Sequence, residues 1–381
     1  MKKIILFLSA IVGLFAVSCD SETTPVTPSI NLSQNRIDAW YEAAEFSVEV
    51  EATCSWSATS DCDWVVIKTE TGSKGGSVLQ FSLLENNGDA VRTAKIVVAN
   101  EEYGLAEELS ISQEVFRDEY LEISYTSTDN KVAEPSDATA FGVEIESNIY
   151  ENGAGKIRFK SAVLKIGESV FYGCENLKSI ALPNSVIEVA GWAFSDCVYL
   201  ENVTLGNRVK SIGESAFGAC VRLKEITIPE SVETIGESAF FGCSAMSAFY
   251  GKFASEDNRC LIIDNVLMNF APKGIRVYEI AEGVTAISAM AFYESRLTDI
   301  TIPQSVTSIG DYAFYYSESL KSVYCKSVMP PVLGESVFDN FENGKDIPIG
   351  CKIYVPTESV ENYKAAENWS KYERYIVGHD F

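Results

Sequence analysis

Apolar residues recur in one pattern between about residues 157 and 324. The clearest copy begins at Ser211 and reads SIGESAFGACVRLKEITIPESV. A fixed period of 20 to 29 residues is typical of a solenoid, in which each unit is too short to bury its own apolar side and must stack on its neighbours. The motif phenylalanine recurs at intervals of 23, 23, 23, 52, 22 and 24 residues, at Phe171, Phe194, Phe217, Phe240, Phe292, Phe314 and Phe338.

The pattern also predicts the parts of one repeat. Leu223, Ile226 and Ile228 alternate with polar residues, which indicates a short strand, and Pro229 ends it because proline cannot donate to a β-ladder. Ala239-Phe240 then fill the interior before the next strand. We therefore expect a mainly β solenoid with parallel strands joined by short irregular or helical turns, and with its phenylalanines in one column.

The solenoid pattern is interrupted between Phe240 and Phe292. The additional length contains two apolar runs that flank Asp264-Asn265. Both residues tolerate positive φ, so they favour a hairpin turn. We expect an irregular repeat with a hairpin inserted near residues 252–275 and protruding from the solenoid.

These repeats resemble the BspA-type leucine-rich repeat of bacterial surface proteins. Several full copies match in register, and the resemblance covers roughly residues 120–381. It implies an N-terminal cap with its linker at 117–156, repeats at 157–350 and a C-terminal cap at 351–381. The cap assignments depend on motifs such as Tyr125-Thr-Ser-Thr-Asp129 and Ile353-Tyr-Val-Pro356.

Residues 30–116 have a different pattern. Short alternating runs, such as Phe46 to Val50 and Ala94 to Val98, are separated by Gly, Asn and Asp clusters, which predicts a small antiparallel β-sandwich. The motifs Cys54-Ser-Trp56, Asp63-Trp64 and Glu85-Asn-Asn87 resemble a BACON domain of Bacteroides-type surface proteins. The resemblance implies either carbohydrate or mucin contact or a spacer.

The first 29 residues indicate export and anchoring. Met1-Lys-Lys3 and the apolar run 4–17 form a secretory signal that is too short to span a bilayer. Ala16-Val-Ser-Cys19 resembles a lipobox, which implies a signal peptide at 1–18, lipidation of Cys19 and a Thr/Pro/Ser-rich tether at 19–29. An ordinary signal peptide is the alternative. The acids after Cys19 resemble a surface-export signal and favour the outer leaflet of the outer membrane.

Charge limits the possible partners. The chain of 381 residues has 54 acidic and 30 basic residues, for a net charge of −24. Because it has no basic run, we expect it to repel nucleic acid and to bind no anionic membrane surface by charge.

Few residues in this sequence are candidates for catalysis or metal binding. The only histidine is His379, so any histidine-dependent nucleophile or metal site would have to use this one tail residue. Glu168, Glu214 and Glu237 recur in a turn, where we expect an exposed row rather than a glycosidase pair, which needs two converging acids. We predict no enzyme, no cofactor and no metal.

Cysteines suggest a second chemistry. Cys174, Cys197, Cys220 and Cys243 are 23 residues apart and should stack one rung apart, near the spacing of a disulfide. Disulfides or a metal are conceivable, but we favour buried free thiols, because Ser295 and Ser317 replace cysteine later. Whether two sandwich cysteines, Cys54 and Cys62, pair is left open.

Several aromatic residues could stack on sugars. Trp56 and Trp64 lie in strand patterns and are expected in the sandwich core, whereas Trp192 is expected to be partly exposed. A partial aromatic row follows the motif phenylalanine, for which we favour packing over a ligand platform: Tyr172, Phe241, Tyr293 and Tyr315.

The outward residues of the strands form the predicted binding surface, because they alternate with buried ones. We hypothesise that this surface binds a protein or glycan, as in an adhesin. The alternative is an accessory carbohydrate-binding lipoprotein of a polysaccharide-uptake system that uses the sandwich. The candidate surface comprises Asn202, Thr204, Glu225, Thr227, Tyr250, Asp299, Thr301 and Tyr324.

Overall fold

The computed structural model describes residues 27–340 and 347–381. It divides into two compact units at residues 116 and 117. The signal peptide, Cys19 and the start of the tether lie outside the described residues. The strands of both units confirm the mainly β fold class.

The first unit consists of two β-sheets with an apolar core between them. The strand orders are β1-β3-β7-β5 and β2-β9-β8-β4-β6. Inward residues alternate with exposed ones, and Val50, Phe81 and Ile96 are fully buried. The strands are β1 Ile30–Leu32, β2 Arg36–Ala39, β3 Ala44–Ala52, β4 Trp56–Ser60, β5 Val65–Ile67, β6 Thr71–Gly72, β7 Gly75–Leu83, β8 Arg92–Asn100 and β9 Leu105–Gln113.

The second unit begins with a short 3-10 helix, Asp118–Leu121, and a three-stranded antiparallel cap. The cap strand β10 also pairs with β14 (Leu177–Ala181), the first long strand of the repeats, and so covers the start of the solenoid core. A second 3-10 helix spans Ala138–Phe141. The cap strands are β10 Glu122–Ser127, β11 Ile145–Glu151 and β12 Ala154–Phe159.

Each repeat then contributes one longer strand and one two-residue strand, which stack into two parallel ladders. We call the ladder of longer strands the strand face and the other the short ladder. The first four repeats and the insertion comprise β13 Lys165–Ile166, β14 Leu177–Ala181, β15 Glu188–Val189, β16 Asn202–Thr204, β17 Ser211–Ile212, β18 Glu225–Ile228, β19 Thr234–Ile235, β20 Ala248–Gly251, β21 Cys260–Ile263 and β22 Val266–Phe270.

The later repeats and the C-terminal cap complete both ladders. The cap adds a 3-10 helix at Thr357–Ser359, the helix α1 at Val360–Ala365 and a further 3-10 helix at Trp369–Tyr375. Its strands are β29 and β30. The elements are β23 Val277–Glu279, β24 Ala286–Ile287, β25 Asp299–Ile302, β26 Ser308–Ile309, β27 Ser322–Cys325, β28 Val332–Leu333, β29 Lys352–Pro356 and β30 Ile376–His379.

A column of phenylalanine rings fills the interior, as predicted. Phe171, Phe194, Phe217 and Phe240 stack with centroids 5.2 to 5.3 Å apart and interplanar angles of 4 to 8°. The backbone supports this stacking, because Phe171 N donates to the carbonyl of Ala193 in the next repeat, and Phe194 N to that of Ala216. The column therefore lies one ring per rung.

The interrupted region rejoins this column earlier than the sequence pattern suggested. Phe270, 22 residues before Phe292, is buried and its ring centroid lies 4.8 Å from that of Phe292. The column then continues through Phe314 and Phe338. The sequence pattern missed Phe270 because Asn269 precedes it, whereas each of the other motif phenylalanines follows Ala or Val.

A hairpin is present in the insertion, but it does not protrude. Its strands are β21 and β22, and its turn residues Asp264 and Asn265 have φ of 50° and 65°. The expectation of a protruding hairpin is wrong because Val266 and Leu267 pair with Ala286 and Ile287 in the short ladder. Burial of Leu267 and Phe270 draws the hairpin into the wall of the solenoid.

The strand face is divided at the insertion. β18 and β20 form a two-stranded sheet, and β23 begins a separate five-stranded sheet. The side chain of Arg259 connects the two sides of this break. Its Nη1 donates to the carbonyl oxygens of Ser247, Ala271 and Lys273 over 2.7, 3.4 and 3.0 Å. One guanidinium thus satisfies backbone acceptors from both sides of the break.

We predict that Arg259→Met lowers the free energy of unfolding by about 1.5 to 3 kcal/mol, because hydrogen bonds to a charged donor are lost and carbonyls are left unsatisfied. Urea denaturation measures the change. Arg222→Met is the control, since Arg222 is exposed and lies over the Tyr199 ring, and it should change stability by less than about 0.5 kcal/mol. Equal losses in both variants would contradict the role of Arg259.

Candidate functional site

The predicted binding residues lie on the strand face in two groups, one on each side of the break. Asn202, Thr204, Glu225 and Thr227 are exposed on adjacent strands. Tyr250 pairs in register with Thr227 and is 40% exposed. The outward positions of this first group form a polar surface that takes no part in the core.

The second group lies beyond the break and is partly buried. Asp299 pairs in register with Ser322, and Thr301 pairs with Tyr324. Thr298 Oγ1 donates to Asp299 Oδ2 over 2.7 Å. This carboxylate is therefore held by its own strand, whereas the first group is open to solvent.

Aromatic rings extend the second group into the C-terminal cap. The Tyr324 and Tyr354 rings stack with centroids 4.9 Å apart and an interplanar angle of 14°. The His379 ring lies 5.6 and 5.7 Å from these two rings, and the Phe381 ring 4.9 Å from His379. The lone histidine of the chain is thus part of an aromatic cluster.

Sequence reasoning missed Tyr354 and His379 as surface partners of Tyr324. The cap strands do not follow the repeat period, so only their pairing reveals that β29 follows β27 on the strand face. The alternation of Ile353, Tyr354 and Val355 was the available signal, because it places Tyr354 outward between two buried residues.

An ion pair crosses the second group. Lys326 Nζ donates to Glu279 Oε1 over 2.7 Å, although the two residues are 47 positions apart. Glu279 pairs in register with Thr301, which pairs with Tyr324. The lysine therefore reaches back across the Thr301 rung to join two strands that are not neighbours.

A separate set of aromatic rings lies along the turns that follow the strands of the short ladder, which we call the turn edge. These rings pack on each other. Phe241 contacts Tyr293 at 5.7 Å, and Tyr293 stacks on Tyr315 at 6.0 Å. Burial and the adjacent Glu294 raise the pKa of Tyr293 to about 12, so its hydroxyl stays neutral. Tyr172 and Trp192 on this edge are 46% and 37% exposed.

Both candidate tryptophans of the sandwich are covered. Trp56 is 3% exposed, and its Nε1 donates to Ser77 Oγ over 3.0 Å. The guanidinium group of Arg92 lies over the Trp64 ring, with its central carbon 4.3 Å from the ring centroid. Neither indole therefore offers an open face to a sugar.

The cysteine column is a series of hydrogen-bond donors. Cys197 Sγ donates to Phe171 O over 3.0 Å and Cys220 Sγ to Phe194 O over 3.1 Å, three residues before the cysteine of the preceding rung. Ser317 Oγ donates to Phe292 O in the same way, over 3.0 Å. The shared donor role explains why serine replaces cysteine in later repeats. All of these cysteines, and also Cys54 and Cys62, are free.

Burial makes these thiols poor nucleophiles. It raises the pKa of Cys243 to about 12 and raises the pKa of Cys197 and Cys220 as well. The repeated glutamates Glu168, Glu214 and Glu237 are exposed along one edge. Neither set forms a cleft with converging groups.

Comparisons with known families and structures agree with this architecture. The profile of the BspA type leucine rich repeat region matches in six copies at residues 143–256 and 269–364, more than half of the chain. The BACON family, described as an N-terminal binding domain, matches residues 55–114. These matches confirm both resemblances. A comparison with curated proteins gives no match.

Solved structures of bacterial leucine-rich repeat proteins are similar. A leucine rich cell surface protein from Faecalibacterium prausnitzii is 23% identical, with 55% of this chain and 65% of that chain covered and a TM-score of 0.39. The T. pallidum leucine rich repeat protein is 23% identical, with 50% of this chain and 74% of that chain covered and a TM-score of 0.30. A Bacteroides ovatus leucine-rich repeat protein is 19% identical, with 62% of this chain and 92% of that chain covered and a TM-score of 0.25. This chain thus spans less than two thirds of the length of the Faecalibacterium protein.

In the part of the chain that the structure describes, no helix is long and apolar enough to cross a bilayer.

We predict that iodoacetamide leaves Cys197, Cys220 and Cys243 unmodified in the native protein, even at pH 9, because their raised pKa values keep them protonated and burial blocks access. Cys62, which is partly exposed, should react first. Mass spectrometry of tryptic peptides measures the modification. Rapid labelling of the column, equal to that in urea, would show that the thiols are accessible.

Proposed function

Because the chain belongs to the BspA-type leucine-rich repeat family and carries a BACON domain, we propose that it is a non-catalytic binding protein of a bacterial cell surface. In this proposal it is held in the outer membrane by lipid on Cys19, and it binds a protein or a glycan through the strand face of its repeats.

The exposed polar columns of the strand face are the observation that carries this proposal. Thr204 and Thr227 lie one rung apart in one column, and Asn202 and Glu225 form the column beside it. The core residues and the inter-rung hydrogen bonds hold the solenoid without them. Such regular, exposed surfaces of solenoids suit extended partners, since a ligand can contact several rungs at once.

The chemistry of the described residues supports a binding role over catalysis. The cysteine column is protonated and engaged with backbone carbonyls, and the repeated glutamates are spread along an exposed edge. The cysteines and the glutamates are therefore both explained by their place in the fold, and neither set indicates a catalytic role.

The anchor rests on the sequence before the described residues. The apolar run 4–17 and the Ala16-Val-Ser-Cys19 motif precede a polar tether. Two or three acyl chains on one cysteine give durable membrane attachment, whereas one chain alone is marginal. Lipidation would leave the folded units outside the bilayer.

Sugar binding through the sandwich, as in an accessory protein of polysaccharide uptake, has less support. The two tryptophans that suggested it are covered by Ser77 and Arg92 contacts and by the sandwich core. The sandwich is better explained as a spacer that carries the repeats away from the membrane.

The proposal predicts that the full chain, purified in detergent, binds immobilised mucin or extracellular-matrix proteins and that the double variant Thr204→Arg/Thr227→Arg weakens binding at least tenfold. Two arginines one rung apart would obstruct the first group of the strand face and reverse its charge. Surface plasmon resonance measures the affinity.

The matched control is Thr285→Arg/Thr307→Arg. These two threonines are also exposed and one rung apart, but they precede the strands of the short ladder. Binding should stay within about twofold of the parent chain. Equal weakening by both pairs, or no binding by the parent chain to any immobilised protein or glycan, would sink the proposal.

A further inference from the structure

The second group of the strand face contains an aromatic ring with one face covered by a neighbour. Tyr324 and Tyr354 occupy adjacent strands in register, and their rings are almost parallel. The stack therefore runs across the strands. The opposite face of Tyr324 is directed towards the preceding rung, where the paired residue is the much smaller Thr301.

Strand register and one ion pair bring four side chains together here, and we call this group the Tyr324 box. Thr301 forms its floor and the Tyr324 ring one end. Glu279, one rung before Thr301 in the same column, lies at the other end. Lys326 reaches from the rung of Tyr324 to Glu279 and forms a side, because its Nζ contacts Glu279 Oε1 at 2.7 Å.

Two further rings support the aromatic end. His379 is nearly equidistant from the Tyr324 and Tyr354 rings, at 5.6 and 5.7 Å, so it lies beside the stack. Phe381 is 6.5 Å from Tyr324 at an interplanar angle of 82°. The position of the Tyr324 ring is thus fixed by three neighbours before any ligand arrives, which lowers the ordering penalty of binding.

The charges of the box select among ligands. A tyrosine face beside a carboxylate would attract a cation, but the Lys326 ammonium already neutralises Glu279 and would repel a basic side chain. Anions are disfavoured as well, because Lys326 also lines a separate cavity of about 330 Å³ in which Glu358 and Asp380 add two negative charges. The charges around the Tyr324 box therefore favour a neutral ligand over a cation or an anion.

The polar groups favour a ligand with many hydroxyls. Carboxylate oxygens accept hydrogen bonds from hydroxyls, the ammonium donates to them, and the Thr301 hydroxyl can do either. A pyranose ring combines such hydroxyls with an apolar C–H face that packs on an aromatic ring. We propose that the Tyr324 box binds one neutral hexose residue of a glycan. This inference rests on the proposed function and names the ligand class for the second group.

The experiment measures binding of the full chain in detergent to three neutral hexose polymers, dextran, yeast mannan and galactan, by affinity electrophoresis. At least one polymer should retard the protein. Tyr324→Ala should weaken that binding at least tenfold because the stacking surface is lost, whereas Tyr324→Phe should stay within about threefold because the ring remains.

Tyr103→Ala is the matched control, since Tyr103 is a 51% exposed tyrosine of the first unit, and it should not alter binding. Thermal unfolding of each variant shows whether its fold is kept. Lys326→Met should also weaken polymer binding, because the ammonium that donates to the hydroxyls of the sugar is lost.

Retardation by none of the three polymers, or equal binding by the parent chain and a folded Tyr324→Ala variant, would overturn the inference. Poly-lysine binding that is lost in the folded Tyr324→Ala variant would do so as well. These failures are separable from failure of the proposed function, since binding to matrix proteins that is sensitive to Thr204→Arg/Thr227→Arg would persist. If that binding is also absent, both proposals fall.

Discussion

The structure of the second unit depends on one constraint: a rung of 22 to 24 residues cannot enclose its own apolar side chains. Each rung therefore shares its core with its neighbours, and the phenylalanine column and the Cys/Ser donors are two of the contacts that repeat along the array. The ring stacking is apolar, and the thiol-to-carbonyl bonds add a polar contact between one rung and the next beside the backbone hydrogen bonds. Stability in such an array comes from the interfaces between rungs.

Because these contacts lie inside the solenoid, the outward side chains of the strand face are not needed for its core. Thr204 and Thr227 are exposed while Val203 and Ile226, beside them in the strands, face the interior of the rungs. A change on the outward side alters the surface without disturbing the core. The same logic places the Tyr324 box at the end of the array, where cap side chains such as His379 can join residues of the repeats.

Much of this architecture was predictable from the sequence, because a fixed period and buried phenylalanines are strong local signals. The column through Phe171, Phe194, Phe217 and Phe240 is confirmed. Phe270 was missed because the residue before it is not the usual Ala or Val, and its membership of the column depends on long-range pairing of Val266 and Leu267. Tyr354 and Lys326 were missed for a related reason, since their partners lie 30 and 47 positions away and outside the 23-residue register.

The break at Arg259 has a consequence for how such an array can change in length over evolution. The strands on the two sides of the break belong to different sheets, and the joint between the halves is closed by a side chain rather than by continuous strand pairing. Duplication of one rung in the first half would move the second half along the axis as a block and leave its surface intact. The joint thus lets the two halves be lengthened or diversified independently of each other.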